Sequence, residues 1–258
     1  MAETALVTGA SAGLGEGFAR ALAARGSDLI LVARREDRLA ALAAELAGAH
    51  GIRAEVIASD LAAPGAVDAL MAEIARRGLA VNLLINNAGY GARGDFAALD
   101  GAMQARMIDL NCRVLAELCH AVLPGMLQMR SGGILNIAST AAFQPGPWMA
   151  VYYATKAFVM SFSEGLHDEV RARGVRVACL CPGATRTEFA ATADIENSRL
   201  FRLFAGDAGR VVKAGLAAVD GNRAVVVPGI VPSLMAAAVR FTPRPWARAI
   251  AASLQKPD

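Results

Sequence analysis

The stretch Thr8-Gly9-Ala10-Ser11-Ala12-Gly13-Leu14-Gly15 decides the fold of this chain. It follows a short apolar run, Ala5 to Val7, and leads directly into a segment of helix-forming composition, Leu14 to Arg25. Glycines between a strand and a helix let the backbone approach a ligand closely, and unpaired N–H groups at the helix N-terminus attract an anion. The stretch therefore predicts the start of a βαβ array with a pyrophosphate-binding turn. The residues expected to line this turn are Gly9, Ser11, Gly13, Leu14 and Gly15.

Apolar runs alternate with stretches of helical composition along the rest of the chain, a pattern typical of parallel strands joined by crossover helices. Most runs lack polar alternation, as expected for strands buried on both faces. The predicted strands are Ala5 to Val7, Leu29 to Val32, Ala54 to Ile57, Leu83 to Asn86, Gly133 to Ala138, Val175 to Leu180 and Ala224 to Val227. The predicted helices are Leu14 to Arg25, Asp37 to Ala49, Ala66 to Arg77 and a long stretch that ends near Arg130. The expected fold is α/β, a Rossmann-type doubly wound parallel sheet of about seven strands with helices on both faces.

Domain organisation is predicted to be simple. No Pro/Ser-rich linker, charge block or repeat divides the chain, so residues 1–258 are expected to form one domain. Strand and helix signals lapse over 184–211, and this segment is either a substrate lid or an irregular surface insertion. Residues 230–258 are interpreted as a C-terminal extension.

Composition raises the question of a membrane. Of the 258 residues 55% are hydrophobic but only 5% aromatic, and the mean hydropathy is +0.39. The longest apolar candidate, Val225 to Val239, is interrupted by Pro228, Gly229 and Pro232, so no spanning helix is predicted. No signal peptide is recognised, and a cytoplasmic location is expected.

Charge and cysteine usage exclude further classes. A net charge of +3 is too small and dispersed to indicate nucleic-acid binding. The cysteines form no CxxC pair and the three histidines are scattered, so neither a disulfide framework nor a zinc site is predicted.

The end of the second strand bears on the choice of dinucleotide. NAD-binding turns carry an acidic residue here for the ribose 2′-hydroxyl, whereas this chain has Arg34 and Arg35. Arginines neutralise and hydrogen-bond a phosphate, so NADP(H) is the preferred cofactor and NAD(H) remains possible. The alternative is that both arginines only begin a solvated helix.

A second constellation lies downstream of the fifth strand. Ser139 ends that strand, and Tyr152 and Lys156 follow four positions apart, on one face of a predicted helix. An ammonium near a phenol stabilises the phenolate and lowers the phenol pKa, which makes the phenol a proton donor or acceptor at neutral pH. Tyr153 is out of register and is assigned to packing or to the substrate wall.

These motifs together resemble the short-chain dehydrogenase/reductase family over roughly residues 4 to 190. The matching patterns are Thr8 to Gly15, Asn86-Asn87-Ala88-Gly89, Asn111, Ser139, Tyr152-x-x-x-Lys156, and Pro182-Gly183 with Thr187. The resemblance implies carbonyl reduction or alcohol oxidation, with Tyr152 as acid or base and Ser139 bonded to the carbonyl oxygen. It further implies that Lys156 lowers the Tyr152 pKa and binds the nicotinamide ribose, and that Asn111 holds a water of the proton relay.

The same resemblance implies a set of cofactor contacts. Asp60 would meet the adenine, Asn87 to Gly89 the adenosine side, and Pro182 to Thr187 the nicotinamide end. Beyond the glycine turn and the two arginines, the expected cofactor residues are Asp60, Leu61, Asn87, Ala88, Gly89, Tyr152, Lys156, Pro182, Gly183, Thr185 and Thr187. A homodimer or homotetramer is implied as well, built on the long helices before Ser139 and after Tyr152.

The substrate is expected to be a small carbonyl compound or alcohol, uncharged and apolar, because the loops after the strands carry mostly apolar side chains. The candidate wall residues are Tyr90, Arg93, Phe96, Phe143, Gln144, Pro145, Trp148, Met149 and the segment Phe189 to Phe204.

Two rival functions remain from the sequence. One is a non-catalytic nucleotide-sensing scaffold, which predicts damage in the Ser139, Tyr152 and Lys156 set. The other is a peripheral membrane enzyme acting on lipid, suggested by apolar and basic residues over Pro232 to Leu254. Pro243 and Pro245 interrupt that stretch, so membrane contact is not expected.

Overall fold

The computed structural model describes residues 3–193, 201 and 206–256. Within them the strands form one parallel sheet of seven strands in the order β3-β2-β1-β4-β5-β6-β7. The strands are β1 Thr4–Thr8, β2 Asp28–Ala33, β3 Ala54–Ala58, β4 Leu83–Asn86, β5 Gly133–Ile137, β6 Arg176–Leu180 and β7 Val225–Val226. The predicted α/β fold is confirmed, and the strand limits differ from the predicted ones by a residue or two.

Ten α-helices belong to the described residues, and six of them contribute to the apolar cores on the two faces of the sheet. The ten helices are α1 Gly13–Ala23, α2 Glu36–His50, α3 Ala66–Arg76, α4 Gly101–Ile108, α5 Leu115–Met129, α6 Ala150–Val170, α7 Glu188–Thr192, α8 Ala208–Asp220, α9 Ile230–Val239 and α10 Arg244–Gln255. The long predicted helix ending near Arg130 is in fact α4 and α5, joined by a π-helical segment over Asp109–Val114.

Two apolar cores, one on each face, follow from the period of two along the strands. On β1, Val7 belongs to the core shared with α1, α2 and α8, whereas its neighbour Leu6 belongs to the core shared with α3, α5 and α6. Both side chains are fully buried. Continuous apolar strands and closely packed helices therefore account for much of the high apolar content. No helix in the described parts of the chain has both the length and the apolar character needed to cross a membrane.

The structure describes the two segments singled out from the sequence, 184–211 and 230–258, to different extents. Of 184–211, the backbone over Glu188–Thr192 forms α7 and the helix α8 begins at Ala208, while 194–200 and 202–205 lie outside the described residues, so the lid remains a prediction. Of 230–258, the stretches Ile230–Val239 and Arg244–Gln255 form α9 and α10, which we call the C-terminal helix pair.

The sheet order places the functional loops together. β1 lies between β2 and β4, so chain connections leave it in opposite directions, and ligands of such sheets bind at the carboxyl ends of the strands beside this switch point. The glycine turn after β1, the loop after β4, Ser139 after β5 and Pro182 after β6 all lie at that edge.

Candidate active site

The glycine turn has the backbone geometry that its sequence predicts. Gly9 and Gly13 have φ angles of 66° and 60°, a region that favours glycine. A Cβ on Gly15 would collide with the carbonyl oxygen of Gly9, so the third glycine allows the turn to close onto the helix. Ala12 is the N-cap residue of α1, and its side chain makes no capping hydrogen bond. The first N–H groups of α1 therefore have no side-chain cap and are available to an anion.

Thr8 joins the glycine turn to the loop after β4. Its hydroxyl oxygen accepts hydrogen bonds of 3.0 Å from the backbone N–H groups of both Asn87 and Ala88. Asn87 Nδ2 in turn donates to the Thr8 carbonyl at 3.0 Å. Thr8 is buried. The side chain of Asn87 therefore positions two loops against each other, in addition to lining the cavity described below.

The arginines after β2 form a network around Ser11. Arg35 Nε and Nη2 donate to the Ser11 hydroxyl at 3.2 and 3.1 Å. Arg35 Nη1 also donates to Glu188 at 2.9 Å, and Arg38 Nη1 donates to the other oxygen of Glu188 at 2.6 Å. The hydrogen bonds from Arg38 and then Arg35 lower the pKa of Glu188 below its ordinary value. Sequence reasoning identified Arg35 and Ser11 but missed Arg38 and Glu188.

Asp60, expected to meet an adenine, is held in an ion pair. Arg106 Nη2 on α4 donates to Asp60 Oδ2 at 2.8 Å, and this hydrogen bond lowers the pKa of the carboxyl group. The backbone N–H of Ala62 donates to the other oxygen at 3.2 Å. Leu61 between them is buried. Arg106 was missed because it follows Asp60 by 46 residues and belongs to no motif.

Tyr152 and Lys156 lie in the first turns of α6, and both are buried. Lys156 Nζ donates a 2.8 Å hydrogen bond to the carbonyl of Ile137 and lies 5.8 Å from the centre of the Tyr152 ring. Ser139 begins the short 3₁₀ turn after β5, where its hydroxyl accepts from the N–H of Ala141 at 3.1 Å. The Ser139 side chain lies close enough to the Tyr152 hydroxyl to influence its pKa.

The pKa of Tyr152 shifts opposite to the direction that the sequence predicted. Burial raises the pKa of Tyr152 above the ordinary value, and the nearby Ser139 side chain opposes this only in part. Burial also lowers the pKa of Lys156 to about 8. Lys156 is not among the groups that shift the Tyr152 pKa, and its ammonium donates to the carbonyl of Ile137. The phenol of Tyr152 is therefore un-ionised at neutral pH.

Asn111 lies in the π-helical segment and is almost fully buried. Its Nδ2 donates to the Tyr90 carbonyl at 3.0 Å and to Thr155 Oγ1 at 3.1 Å, and its Oδ1 accepts from the Tyr90 N–H at 3.2 Å. A Cβ on Gly89 would lie 2.9 Å from that Oδ1 and 3.7 Å from Lys156 Nζ. Asn111 thus fixes the loop after β4 beside the lysine.

The loop after β6 lies against the glycine turn. Thr187 is the nearest neighbour of Gly13, with its Cβ 3.2 Å from where a Cβ on that glycine would be. Thr185 Oγ1 donates to the Gly183 carbonyl at 2.9 Å, which closes a small turn. Pro182 accepts a 2.8 Å hydrogen bond from the Thr140 N–H, so the loop is tied to the segment that follows Ser139.

One cavity of about 960 Å³ joins these parts. The predicted site residues all line it except Gly15 and Asn111, which support it from behind. Of the predicted substrate wall, Tyr90, Gln144, Met149 and Phe189 line the cavity, whereas Arg93, Phe96, Phe143, Pro145 and Trp148 do not. The Phe189 ring packs on the Tyr152 ring at 5.5 Å between centres. Phe204 lies outside the described residues.

The cavity has a wall that sequence reasoning did not assign. Eleven of its lining residues come from the C-terminal helix pair and the short link between the helices: Pro232, Met235, Ala236, Ala238, Val239, Thr242, Ala247, Ile250, Ala251, Leu254 and Gln255. Apolar residues recur there at helical spacing, a signal of a buried face. From the sequence this stretch is interpreted only as a C-terminal extension and, in one rival function, as a membrane-binding segment.

Fold and site together define a dinucleotide-binding α/β protein whose cavity also holds a buried Ser-Tyr-Lys set. Residues 3–197 match the sequence model of the short chain dehydrogenase family. The chain belongs to this family of oxidoreductases, as its motifs predicted.

Individual relatives carry different activities. The chain is 33% identical over 195 residues to the very-long-chain 3-oxoacyl-CoA reductase of Bos taurus, a match that covers 74% of this chain and 62% of that protein. It is 38% identical over 191 residues to sulfoacetaldehyde reductase 2 of Chromohalobacter salexigens, covering 73% and 75%.

A solved relative is similar over nearly the whole chain. The short-chain dehydrogenase from Sphingobium yanoikuyae in complex with NADPH is 36% identical, with a TM-score of 0.84 over 93% of this chain and 92% of that one.

Proposed function

We propose that this protein is an NADP(H)-dependent oxidoreductase that interconverts a ketone or aldehyde and an alcohol, with Tyr152 as the acid or base. The observation that carries the proposal is that Ser139, Tyr152 and Lys156 line the same cavity as the glycine turn. A proton donor and a dinucleotide turn in one cavity suit hydride transfer to a carbonyl group.

The residues present fit a phosphorylated dinucleotide. The N-terminus of α1, which no side chain caps, lies on the cavity wall and suits a pyrophosphate. Arg34 and Arg35 lie on the same wall and suit a 2′-phosphate. The NADPH complex of the Sphingobium relative supports NADP(H), and NAD(H) remains possible. Glu188 shares this region, but it is paired with two arginines.

When bound, the nicotinamide supplies or accepts the hydride. Tyr152, kept neutral by burial, gives its proton to the carbonyl oxygen in reduction and becomes a phenolate; in oxidation this phenolate takes the proton from the alcohol hydroxyl. Ser139 orients that oxygen by a hydrogen bond, and the ammonium of Lys156 stabilises negative charge that develops on the phenol. Lys156 would also hold the ribose hydroxyls.

Asn111 is proposed to hold a water that returns the proton to solvent. Both N–H groups of its side-chain amide already donate, to Tyr90 and Thr155. A water therefore binds Asn111 only by donating to one of its oxygens.

The proposed substrate is an uncharged, mainly apolar carbonyl compound or alcohol. The two relatives carry names with different substrates, a 3-oxoacyl-CoA and sulfoacetaldehyde, so membership of the family does not fix the substrate. The side chains beyond Tyr152, such as Met149 and Phe189, are apolar.

Neither rival function is favoured. A scaffold that had lost the reaction would be expected to have a damaged catalytic set, whereas Ser139, Tyr152 and Lys156 are present and adjacent. Of the apolar residues that suggest a lipid enzyme on a membrane, Met235, Val239 and Ile250 line the cavity. Leu234, Phe241 and Trp246 are exposed.

We also propose a homodimer or homotetramer through α5 and α6. The stacked rings of Phe158 and Phe162 lie on α6, with Phe158 exposed, and suit a subunit contact. Size-exclusion chromatography with light scattering tests this assembly, and a monomer at all concentrations overturns it.

The test of the reaction uses the purified protein, NADPH and a panel of ketones and aldehydes. Tyr152→Phe is expected to reduce turnover by at least about a hundredfold, as for loss of a general acid, with NADPH binding by fluorescence near wild type. Tyr153→Phe on the next position is the matched control and should retain most turnover. Binding of NADPH without turnover of any substrate by the wild type would support the scaffold instead.

A further inference from the structure

The C-terminal helix pair closes one side of the catalytic cavity. α9 contributes Pro232, Met235, Ala236, Ala238 and Val239 to its lining, and α10 contributes Ala247, Ile250, Ala251, Leu254 and Gln255. The first set recurs at helical spacing, and in the second set Ala247, Ala251 and Gln255 are four positions apart. One face of each helix is therefore turned to the cavity that contains Tyr152.

This wall differs in charge from the rest of the cavity. Every charged residue that lines the cavity comes from elsewhere in the described chain: Arg34, Arg35, Asp60, Asp100, Arg106, Lys156 and Glu188. Within 230–256 the polar lining side chains are Thr242 and Gln255 alone. Such a wall suits an uncharged hydrocarbon group, because burying that group against it removes no charge or polar group from water.

The wall is also fixed in place at both ends. Gln255 Nε2 donates to the Tyr153 hydroxyl at 3.0 Å, which ties α10 to the helix that carries Tyr152. At the start of α9, Ser233 Oγ donates to the Val227 carbonyl at 2.8 Å, and Pro232 is the neighbour of Gly183 in the loop after β6. The apolar face therefore has a defined position relative to the reacting hydroxyl.

Small side chains leave room along this face. Ala236, Ala247 and Ala251 are buried between the helix pair and the rest of the protein, and all three line the cavity. Larger side chains at these positions would occupy the space that the alanines leave open. Met235 and Ile250, which are partly exposed, also line the cavity and so lie where it reaches the surface.

We propose that the inner face of the C-terminal helix pair is the binding site for a hydrocarbon arm of the substrate. The substrate class is a ketone, or the corresponding secondary alcohol, that carries an extended apolar chain on the reacting carbon. This inference rests on the proposed function, since it places the reacting group at Tyr152 and Ser139 and the chain along α9 and α10.

The experiment uses NADPH and linear methyl ketones of increasing length, from butanone to decanone. Each methylene that enters the apolar wall is expected to raise kcat/KM about fourfold until the wall is filled. Ala251→Phe and, on the other helix, Ala236→Phe narrow the cavity. They are expected to lower kcat/KM for decanone by roughly a hundredfold and for butanone by no more than about threefold, because only the long ketone needs the filled space.

Matched controls exist on the outer faces of the same helices. Ala249→Phe and Ala237→Phe add the same side chain at exposed positions and should keep the wild-type dependence on chain length. Thermal unfolding and NADPH binding establish that each variant is folded, and the two inner-face variants on separate helices test the wall independently.

The outcomes test the hydrocarbon site separately from the oxidoreductase activity. Turnover of all ketones with no dependence on length, or equal losses in inner and outer variants, overturns the hydrocarbon site and leaves the oxidoreductase intact. If the wild type turns over no ketone, the hydrocarbon site is tested by binding instead. Calorimetry then measures the affinity of the NADP⁺ complex for butanol and for decanol. Tighter binding of decanol that Ala251→Phe abolishes supports the site without the reaction, and equal binding overturns it.

Discussion

Gln255 and Tyr153 form a buried hydrogen bond of 3.0 Å between the end of α10 and the start of α6. Tyr153 follows Tyr152, and the two rings meet edge to face with their centres 6.2 Å apart. The last turn of the described chain thus contacts the residue beside the proposed proton donor. The hydrogen bond therefore holds the C-terminal helix pair in a defined position against α6, the helix that carries Tyr152.

Gln255→Leu is expected to lower the free energy of unfolding by about 1–3 kcal/mol, because it keeps the volume but leaves the Tyr153 hydroxyl buried without a partner. Urea denaturation measures the change. The double variant with Tyr153→Phe removes both partners, so much of the lost stability should return. Additive losses in the cycle would show that the hydrogen bond contributes nothing.

Arg34→Asp is expected to raise KM for NADPH far more than KM for NADH. Arg34 lies on the cavity wall at the end of β2, where a carboxylate would repel a 2′-phosphate and accept a hydrogen bond from a 2′-hydroxyl. Steady-state kinetics with both cofactors and one carbonyl substrate measure the two ratios. Equal changes for the two cofactors would contradict the NADP(H) preference.

Glu188→Gln is expected to tighten NADPH binding severalfold and to leave NADH binding nearly unchanged. The carboxylate now pairs with Arg35 and Arg38, so removing its charge makes both guanidinium groups more available to a 2′-phosphate. Fluorescence titration gives both dissociation constants. Glu45→Gln is the control. It removes a carboxylate farther along α2 that pairs with Arg20 of α1, and it should change neither dissociation constant. Weaker NADPH binding in Glu188→Gln would instead assign the carboxylate a supporting role.

Lys156 makes stability depend on pH in a direction that follows from its burial. Its pKa is lowered from 10.5 to about 8, so between these values the unfolded chain binds more protons than the folded protein. Stability contributed by this group therefore rises as pH increases from about 8 to 10.5, and below pH 8 its burial costs about 3 kcal/mol.

The comparison of wild type with Lys156→Met isolates this effect from the titration of other groups. The Met variant should be more stable than wild type at pH 7, and its advantage should shrink by pH 10. Denaturant titrations of the protein without cofactor at several pH values give the difference. An advantage that stays constant over this range would show that Lys156 keeps its ordinary pKa in the folded protein.

The local sequence was sufficient to predict the strands and most residues of the candidate site. The apolar runs predicted all seven strands, because a strand buried on both faces needs a continuous apolar segment. The glycine turn followed from backbone sterics, as the positive φ angles of Gly9 and Gly13 show. Of the individually predicted site residues, 18 of 20 line one cavity, the exceptions being Gly15 and Asn111.

The interruption of the long helix near Asn111 was not predicted. A π-helical segment adds one residue to a turn without changing the apolar composition, so no periodicity signal marks it. The pKa direction of Tyr152 was missed for another reason. Spacing along a helix places Lys156 near the ring, but the degree of burial that sets the pKa depends on everything packed around both groups.

The family, the sheet and its cofactor turn follow from local sequence alone, since these depend on residues close together in the chain. Only the tertiary structure brought Glu188 to Arg35, 153 positions away, and Gln255 to Tyr153, 102 positions away. Such contacts depend on the order of the strands and on where the last helices pack. For the same reason, the wall that α9 and α10 add to the catalytic cavity became visible only in the folded protein.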